Sequence, residues 1–270
     1  MMPNITLATT DAILIAVIAF FAALAQGATG FGFAIIALPL LLGVMGSLDA
    51  VGLTIVLNLL VSLVLVPGLW PQAPKGPLAR LSLGSLFGFP IGLVIFLHAS
   101  LDWVRLAVGL IILLFAGWLA LSHRRAATAR TPIDQTAMDR KEARPGRNLV
   151  EVSVGLVSGA MSTALAMPGP SVMLYLSARG MEKAQLRATT LCLFTLSYGA
   201  VLVLQAAVGA LGSGIWMAVA VGALPTIIGA AVGNRLSRII NEGLFRVIVL
   251  VILLATGAYT TFNAIIMWNW

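Results

Sequence analysis

Charge is what this chain has least of. Nine per cent of its residues are Asp, Glu, Lys or Arg, against roughly a quarter in soluble domains. Sixty per cent are hydrophobic and the mean hydropathy is +1.05, which excludes a water-soluble globular protein and implies a polytopic membrane protein. Cysteine is limited to Cys192, inside an apolar run, so there is no disulfide framework and no CxxC metal or redox pair. The opening MMPNITLATTD holds no Lys or Arg; the basic n-region of a cleaved signal peptide is missing, and the first apolar segment is expected to be retained. Acids are missing from the middle of every apolar run. Asp11, Asp49, Asp102, Asp134, Asp139, Glu142, Glu151, Glu182 and Glu242 all fall at segment ends or in a central linker, so no carboxylate is placed for a mid-membrane proton relay. The net charge of +7 does not point to nucleic acid, because the cations flank apolar spans, where topology accounts for them.

Sustained apolar segments cover roughly 12–46, 50–70, 78–97, 103–121, 149–178, 184–208, 215–233 and 244–267. Most approach the ~20 residues that a spanning helix needs. The first and fifth are interrupted. The stretch QGATGFGFAIIALPLL, Gln26 to Leu41, carries Gly27, Gly30, Gly32 and Pro39, and SGAMSTALAMPGP, Ser158 to Pro170, repeats the interruption half a chain later. Irregular backbone survives in a bilayer only where protein buries it or water lines it. Paired interruptions in corresponding segments mark the substrate site of an inverted-repeat transporter. Residues 12–46 are too many for one span and too few for two, so each interrupted segment is expected to be a re-entrant hairpin with its tip near mid-membrane.

The halves also resemble each other in order. Gly46 to Thr54 aligns with Gly180 to Ala188, Pro90 to Gly92 with Pro225 to Gly229, and Val108 to Leu114 with Val247 to Leu253. The domains read as a first transmembrane repeat at 1–121, a basic cytoplasmic linker at 122–148 and a second repeat at 149–270. The fold class is thus an all-α polytopic membrane protein of two inverted repeats, each a re-entrant or broken-helix hairpin plus three transmembrane helices. With that topology fifteen of the 16 Lys and Arg residues lie at or near the inner face and only Arg105 outside; eight ordinary spans would put seven outside. The positive-inside tendency prefers the hairpins. Both termini are then outside, with Trp268 and Trp270 anchoring the last helix.

Gly27, Gly30, Gly32 and Pro39, the paired element Ser158 to Pro170, the Ala-x-x-x-Thr element Ala50 to Thr54 with its counterpart Ala184 to Thr189, and the basic central loop together resemble the sulfite exporter TauE/SafE family. The resemblance covers nearly the whole chain. It implies a transporter moving sulfite, small organosulfonates or related carboxylates across the bacterial cytoplasmic (inner) membrane. The second glycine-rich element is poorer in glycine than the family pattern.

A small anion inside a membrane needs donors that replace its hydration shell, and broken helices supply them as free amides at the positive ends of half-helices. Gly27, Ala28, Thr29, Gly30 and Gly32 suit one tip; Ser158, Gly159, Ser162, Thr163, Gly169 and Ser171 suit the other. Arg187, deep along an apolar helix after Arg179 and Lys183, reads as a counter-charge for an oxyanion. Blander readings stand beside these: small residues for tight helix packing, and Arg187 as a topology signal that snorkels inward. Gln26 and Asn58 either line the pocket or bond between helices, while His98 and His123 sit at helix ends.

No catalytic residue, metal site or cofactor is called for. The expected partners are a small anionic substrate and the lipid bilayer, with no nucleic acid; a homodimer is compatible with them. With no relay carboxylate, export of an anion from a negative-inside cell by electrogenic uniport is the simplest mechanism. Sodium- or proton-coupled import and an anion channel are the alternatives. An intramembrane hydrolase lacks a GxSG-type element with a facing His, and a scaffold would move nothing.

Overall fold

The computed structural model describes residues 8–128, 147–212 and 214–237, with 254 and 257, and every element among them is helical. In chain order these are α1 (Thr9–Thr29), α2 (Phe33–Met45), α3 (Asp49–Leu65), α4 (Lys75–His98), α5 (Leu101–Thr128), α6 (Arg147–Leu165), α7 (Gly169–Ala178), α8 (Lys183–Ala207) and α9 (Ile215–Leu236). Two 3-10 turns, Val66–Gly68 and Trp70–Gln72, lead from α3 to α4. All but α2 and α7 contain a stretch long and apolar enough to cross a membrane, α3 together with the 3-10 turn that carries it on to Gly68. The expected last span and its tryptophans, with Arg238 and Arg246, lie outside the described residues apart from 254 and 257. So does most of the linker. The helix of α5 continues to Thr128, into the segment read as linker. Arg, Ala, Lys and Leu are good helix formers, and the run Arg124 to Ala127 is made of Arg and Ala.

Both interruptions are real breaks. Gly30, at φ 88°, ends α1 by turning its amide back to the Gln26 carbonyl at 2.7 Å, and Gly32, at φ 110°, opens α2. In the second half Ala166 does the same work at φ 52°, the one non-glycine with positive φ among the described residues, its amide on the Ser162 carbonyl at 3.0 Å. A left-handed alanine costs about 1–2 kcal/mol, so the surroundings must hold it.

The arms at each break are unequal, where a hairpin turning at mid-membrane would have equal ones. The 21 residues of α1 rise about 31 Å, enough to cross a ~30 Å hydrocarbon layer alone. Its partner α2 has 13 residues. In α6 the uncharged part after Glu151, residues 152–165, rises only about 21 Å before the break, and α7 has 10 residues.

Glycine decides the helix pairing. On α4 a Cβ at Gly84, Gly88 or Gly92 would lie 2.0–2.2 Å from the Val152, Leu156 or Ala160 carbonyl oxygens of α6, while Gly155 and Gly159 of α6 press equally close on Leu81 and Ser85. Such stripes let backbones touch, which is how helices associate in lipid. The α1–α9 pair is built alike: Gly229 sits on Phe20, Gly233 on Leu24 and Gly27 on Ala230. One spacing relates the two pairs, since 136 residues separate Phe20 from Leu156, Leu24 from Ala160 and Gly30 from Ala166. Gly88 thereby corresponds to Gly229 and Gly92 to Gly233, a register four residues from the alignment that matches Gly92 to Gly229. Between these pairs α3 meets α8, with α3 also touching α9 and α8 touching α4.

Candidate functional site

The two breaks are joined by a buried chain of three side chains. Gln26, one turn before the first break, accepts the amide of Phe33, the first residue of α2, at 3.1 Å and donates through Nε2 to Asn58 Oδ1 of α3 at 2.7 Å. Asn58 Nδ2 donates to the Tyr198 hydroxyl of α8 at 2.8 Å, and that hydroxyl donates to the carbonyl of Ala166 at 2.7 Å. Gln26 and Tyr198 are fully buried and Asn58 is 1% exposed. Each of the two residues singled out in the sequence thus bonds between helices, and the third, Tyr198, was missed. A signal for it existed: Thr190, Ser197, Tyr198 and Gln205 recur along α8 at seven- and eight-residue spacing, one face of a helix.

The short helices begin at the breaks. Their N-caps, Gly32 and Pro168, make no side-chain capping bond, and the first amides of a helix have no partner within it. Ala34 and Ile35 at the start of α2 are almost wholly buried, so their amides face protein interior with the positive end of the helix dipole. A Cβ at Gly32 would meet no atom within 4 Å, which leaves open space beside this helix start.

The other sequence-predicted residues divide. Gly27 and Gly159 serve close packing, with a Cβ coming within 2.5 Å of Ala230 O and 2.2 Å of Ser85 O, and Ala28 lies against Gly233. Thr29 Oγ1 lies 2.8 Å from the Ala25 carbonyl and 2.6 Å from that of Phe31, holding the turn. At the second break Ser158 donates to the Pro168 carbonyl at 3.0 Å and Ser171 reaches the same oxygen at 3.4 Å. Ser162 is fully buried and its hydroxyl has no hydrogen-bond partner among the described residues. Thr163 bonds back to Gly159, and its own carbonyl accepts Gln205 Nε2 at 3.4 Å. Gly169 opens α7 beneath the Phe194 ring.

Arg187 docks on the end of α1. Its Nη2 donates to the Gly27 carbonyl at 2.5 Å and to Asn234 Oδ1 of α9 at 2.7 Å, and Nη1 to Ser237 at 3.3 Å. A Cβ on Gly30 would strike its Cγ at 2.5 Å. A guanidinium here satisfies an orphan carbonyl at the negative end of the α1 dipole. Near the start of α6, Glu151 was read as a mere segment end, yet it is fully buried between Arg80 of α4 and Arg179 and Tyr175 of α7. The missed signal was three charges whose helices the break brings together.

Apolar helices of spanning length, two of them stopped at breaks that one buried polar chain joins, define a multi-pass α-helical membrane protein. Residues 15–260 match the sulfite exporter TauE/SafE family, and the chain belongs to that family of membrane transporters of sulfur anions such as sulfite. No curated protein and no solved structure matches it.

Proposed function

We propose that this protein carries a small sulfur oxyanion, sulfite or a short organosulfonate, across a bacterial cytoplasmic membrane, binding it between the two breaks and exposing it to either side in turn. The observation that carries the reading is the buried chain Gln26–Asn58–Tyr198, which spans from the first amide of α2 to the Ala166 carbonyl. Three side chains bridge the breaks, so one small anion could lie against both half-helices. The amides at the start of α2 and the Ser162 hydroxyl, unpartnered among the described residues, supply donors in place of water, and the open space beside Gly32 gives room for the anion.

The halves are inverted relative to each other in this reading, each with a broken-helix pair as its moving part. Support comes from the reciprocal packing: α1 lies on α9 as α6 lies on α4, in one register. The inner-face excess of Lys and Arg supports the same topology. Arg187 acts as a positioning residue that pins the end of α1 to α8 and α9, rather than as the counter-charge itself. A monovalent anion leaving a negative-inside cell gains ~2.3 kcal/mol per 100 mV, so export needs no coupling ion.

The test is radiolabelled sulfite flux in proteoliposomes holding the purified protein under an imposed potassium diffusion potential. Saturable flux that grows with the potential is expected. Flux linear in sulfite would make the protein a channel, and sodium-dependent uptake would make it an importer. No flux above empty vesicles refutes transport.

A further inference from the structure

We infer that Arg80, Arg179 and Tyr175 form a second oxyanion station between α4, α6 and α7, where Glu151 stands in for the passing anion. The inference rests on the transport reading and names a stop on the same route. Arg80 Nε donates to Glu151 Oε2. Arg179 Nη1 donates to Oε1 at 2.9 Å and to the Tyr175 hydroxyl at 3.1 Å, and Tyr175 donates to Oε1 at 3.2 Å. Among the described residues, two guanidiniums around one carboxylate give this cluster an excess positive charge.

Arg80 makes that excess plain. Its Nη2 is buried and has no hydrogen-bond partner among the described residues. Its guanidinium lies against the first turn of α4, where a Cβ on Gly76 would be 3.4 Å from Nη1 and 3.5 Å from Nη2. A helix N-terminus disfavours a cation and favours an anion. Sulfite and sulfonates present the same array of acceptor oxygens to a guanidinium fork as a carboxylate does. An arriving anion can therefore take Arg179 and the idle Nη2 of Arg80 while Glu151 yields, with no covalent bond made or broken.

A polar lane joins this station to the second break. Ser158 and Glu151 are seven residues apart on α6, one face and about 10 Å along the axis. Ser171, Tyr175 and Arg179 follow at four-residue steps on α7, so they share a face. The hydroxyls of Ser158 and Ser171 meet at the Pro168 carbonyl, and Tyr175 and Arg179 meet at Glu151. The first break lacks these groups at the corresponding described positions: by the registers that relate the halves, Glu151, Tyr175 and Arg80 correspond to Ile15, Pro39 and Val221, and the charge near the end of α2 is Arg105, which donates to the Leu42 carbonyl at 3.3 Å.

Sulfite affinity by calorimetry and labelled-sulfite flux, measured on the purified full chain, test the station in Glu151→Gln, Arg179→Gln and Arg80→Lys. Removing the competing carboxylate should tighten sulfite about tenfold and slow turnover, because release becomes harder; Arg179→Gln should weaken it about tenfold, as loss of a unit charge at contact distance implies. Arg80→Lys keeps the charge without the fork and should weaken it less. Opposite shifts from the Glu and Arg variants are the signature. An ion-pair cluster with only a structural role would lower thermal stability and leave affinity unchanged in all three, which overturns the station. Should Glu151→Gln fail to fold, the two Arg variants decide through affinity alone. Wild-type flux with unchanged variant affinities removes the station and keeps transport; no binding and no flux in the wild type removes both.

Discussion

Tyr198→Phe removes one oxygen from the centre of the molecule and leaves the ring that packs edge-on to Phe194 at 5.8 Å between centroids. The lost hydroxyl donates to the Ala166 carbonyl and accepts from Asn58. Interhelical hydrogen bonds in lipid average about 0.6 kcal/mol and reach about 1.7, so two of them predict a loss of about 1–3 kcal/mol. At about 2–4 °C per kcal/mol for a chain of this size, the midpoint of unfolding in detergent should fall by about 2–12 °C. The Ala166 carbonyl belongs to a left-handed residue that only its surroundings hold, so the second break should loosen and sulfite flux fall further than the folded fraction does. A cycle with Asn58→Leu separates the direct bond from general loosening, and residues in one network should couple by more than 0.5 kcal/mol. Equal midpoints and flux for Tyr198→Phe and wild type, or additive effects in the cycle, would refute the idea that this chain ties the breaks together.

Gly159→Leu should abolish folded protein, since even a Cβ there lies 2.2 Å from a backbone oxygen of α4; size-exclusion elution in detergent reads this directly, and a normal monodisperse peak would show the helix pair can separate cheaply. Arg187→Gln deletes charge-assisted bonds to Gly27 and Asn234, and such bonds contribute about 1.5–3 kcal/mol. Its unfolding midpoint should drop while sulfite affinity in the folded protein stays at the wild-type level; a stable variant with weakened sulfite binding would restore Arg187 as the counter-charge.

The all-helical membrane class was legible because lipid leaves few options: charge-poor runs of ~20 residues must be helices, and glycine clusters inside them must be breaks or contacts. Where the first break falls could be read from Gly30 and Gly32, since glycine alone adopts their φ freely. The second could not be placed to the residue, because Ala166 occupies a glycine conformation and Pro168 and Pro170 draw the eye two residues too far. Gly27 and Gly159 looked like ligand contacts because a stripe of small residues has one sequence signature whether a helix or an anion approaches it. Partners across helices were invisible. Asn58 and Tyr198 are 140 residues apart, Arg80 and Glu151 are 71 apart and Arg179 and Glu151 28, and one sequence holds no record of such pairings.

The lane proposed for the second half, with Ile15, Pro39 and Val221 at the corresponding described positions, would set up a difference between the two faces without setting a direction. A carrier that uses only the electrochemical gradient must satisfy detailed balance, so a station that tightens the anion on one side also slows its release to that side. Reciprocity of coupled equilibria allows nothing else. Half-saturation should therefore be lower when sulfite is presented at the face bearing Arg80 and Arg179 than at the opposite face, and Arg179→Gln should narrow the gap from that side alone. Net flux should still reverse whenever the combined concentration gradient and potential reverse. Vesicles sorted by orientation with a membrane-impermeant label give both quantities. Equal half-saturation on the two faces would show that the lane lies off the anion's route, whereas flux that refuses to reverse would demand an energy source that two breaks and an ion-pair cluster do not contain.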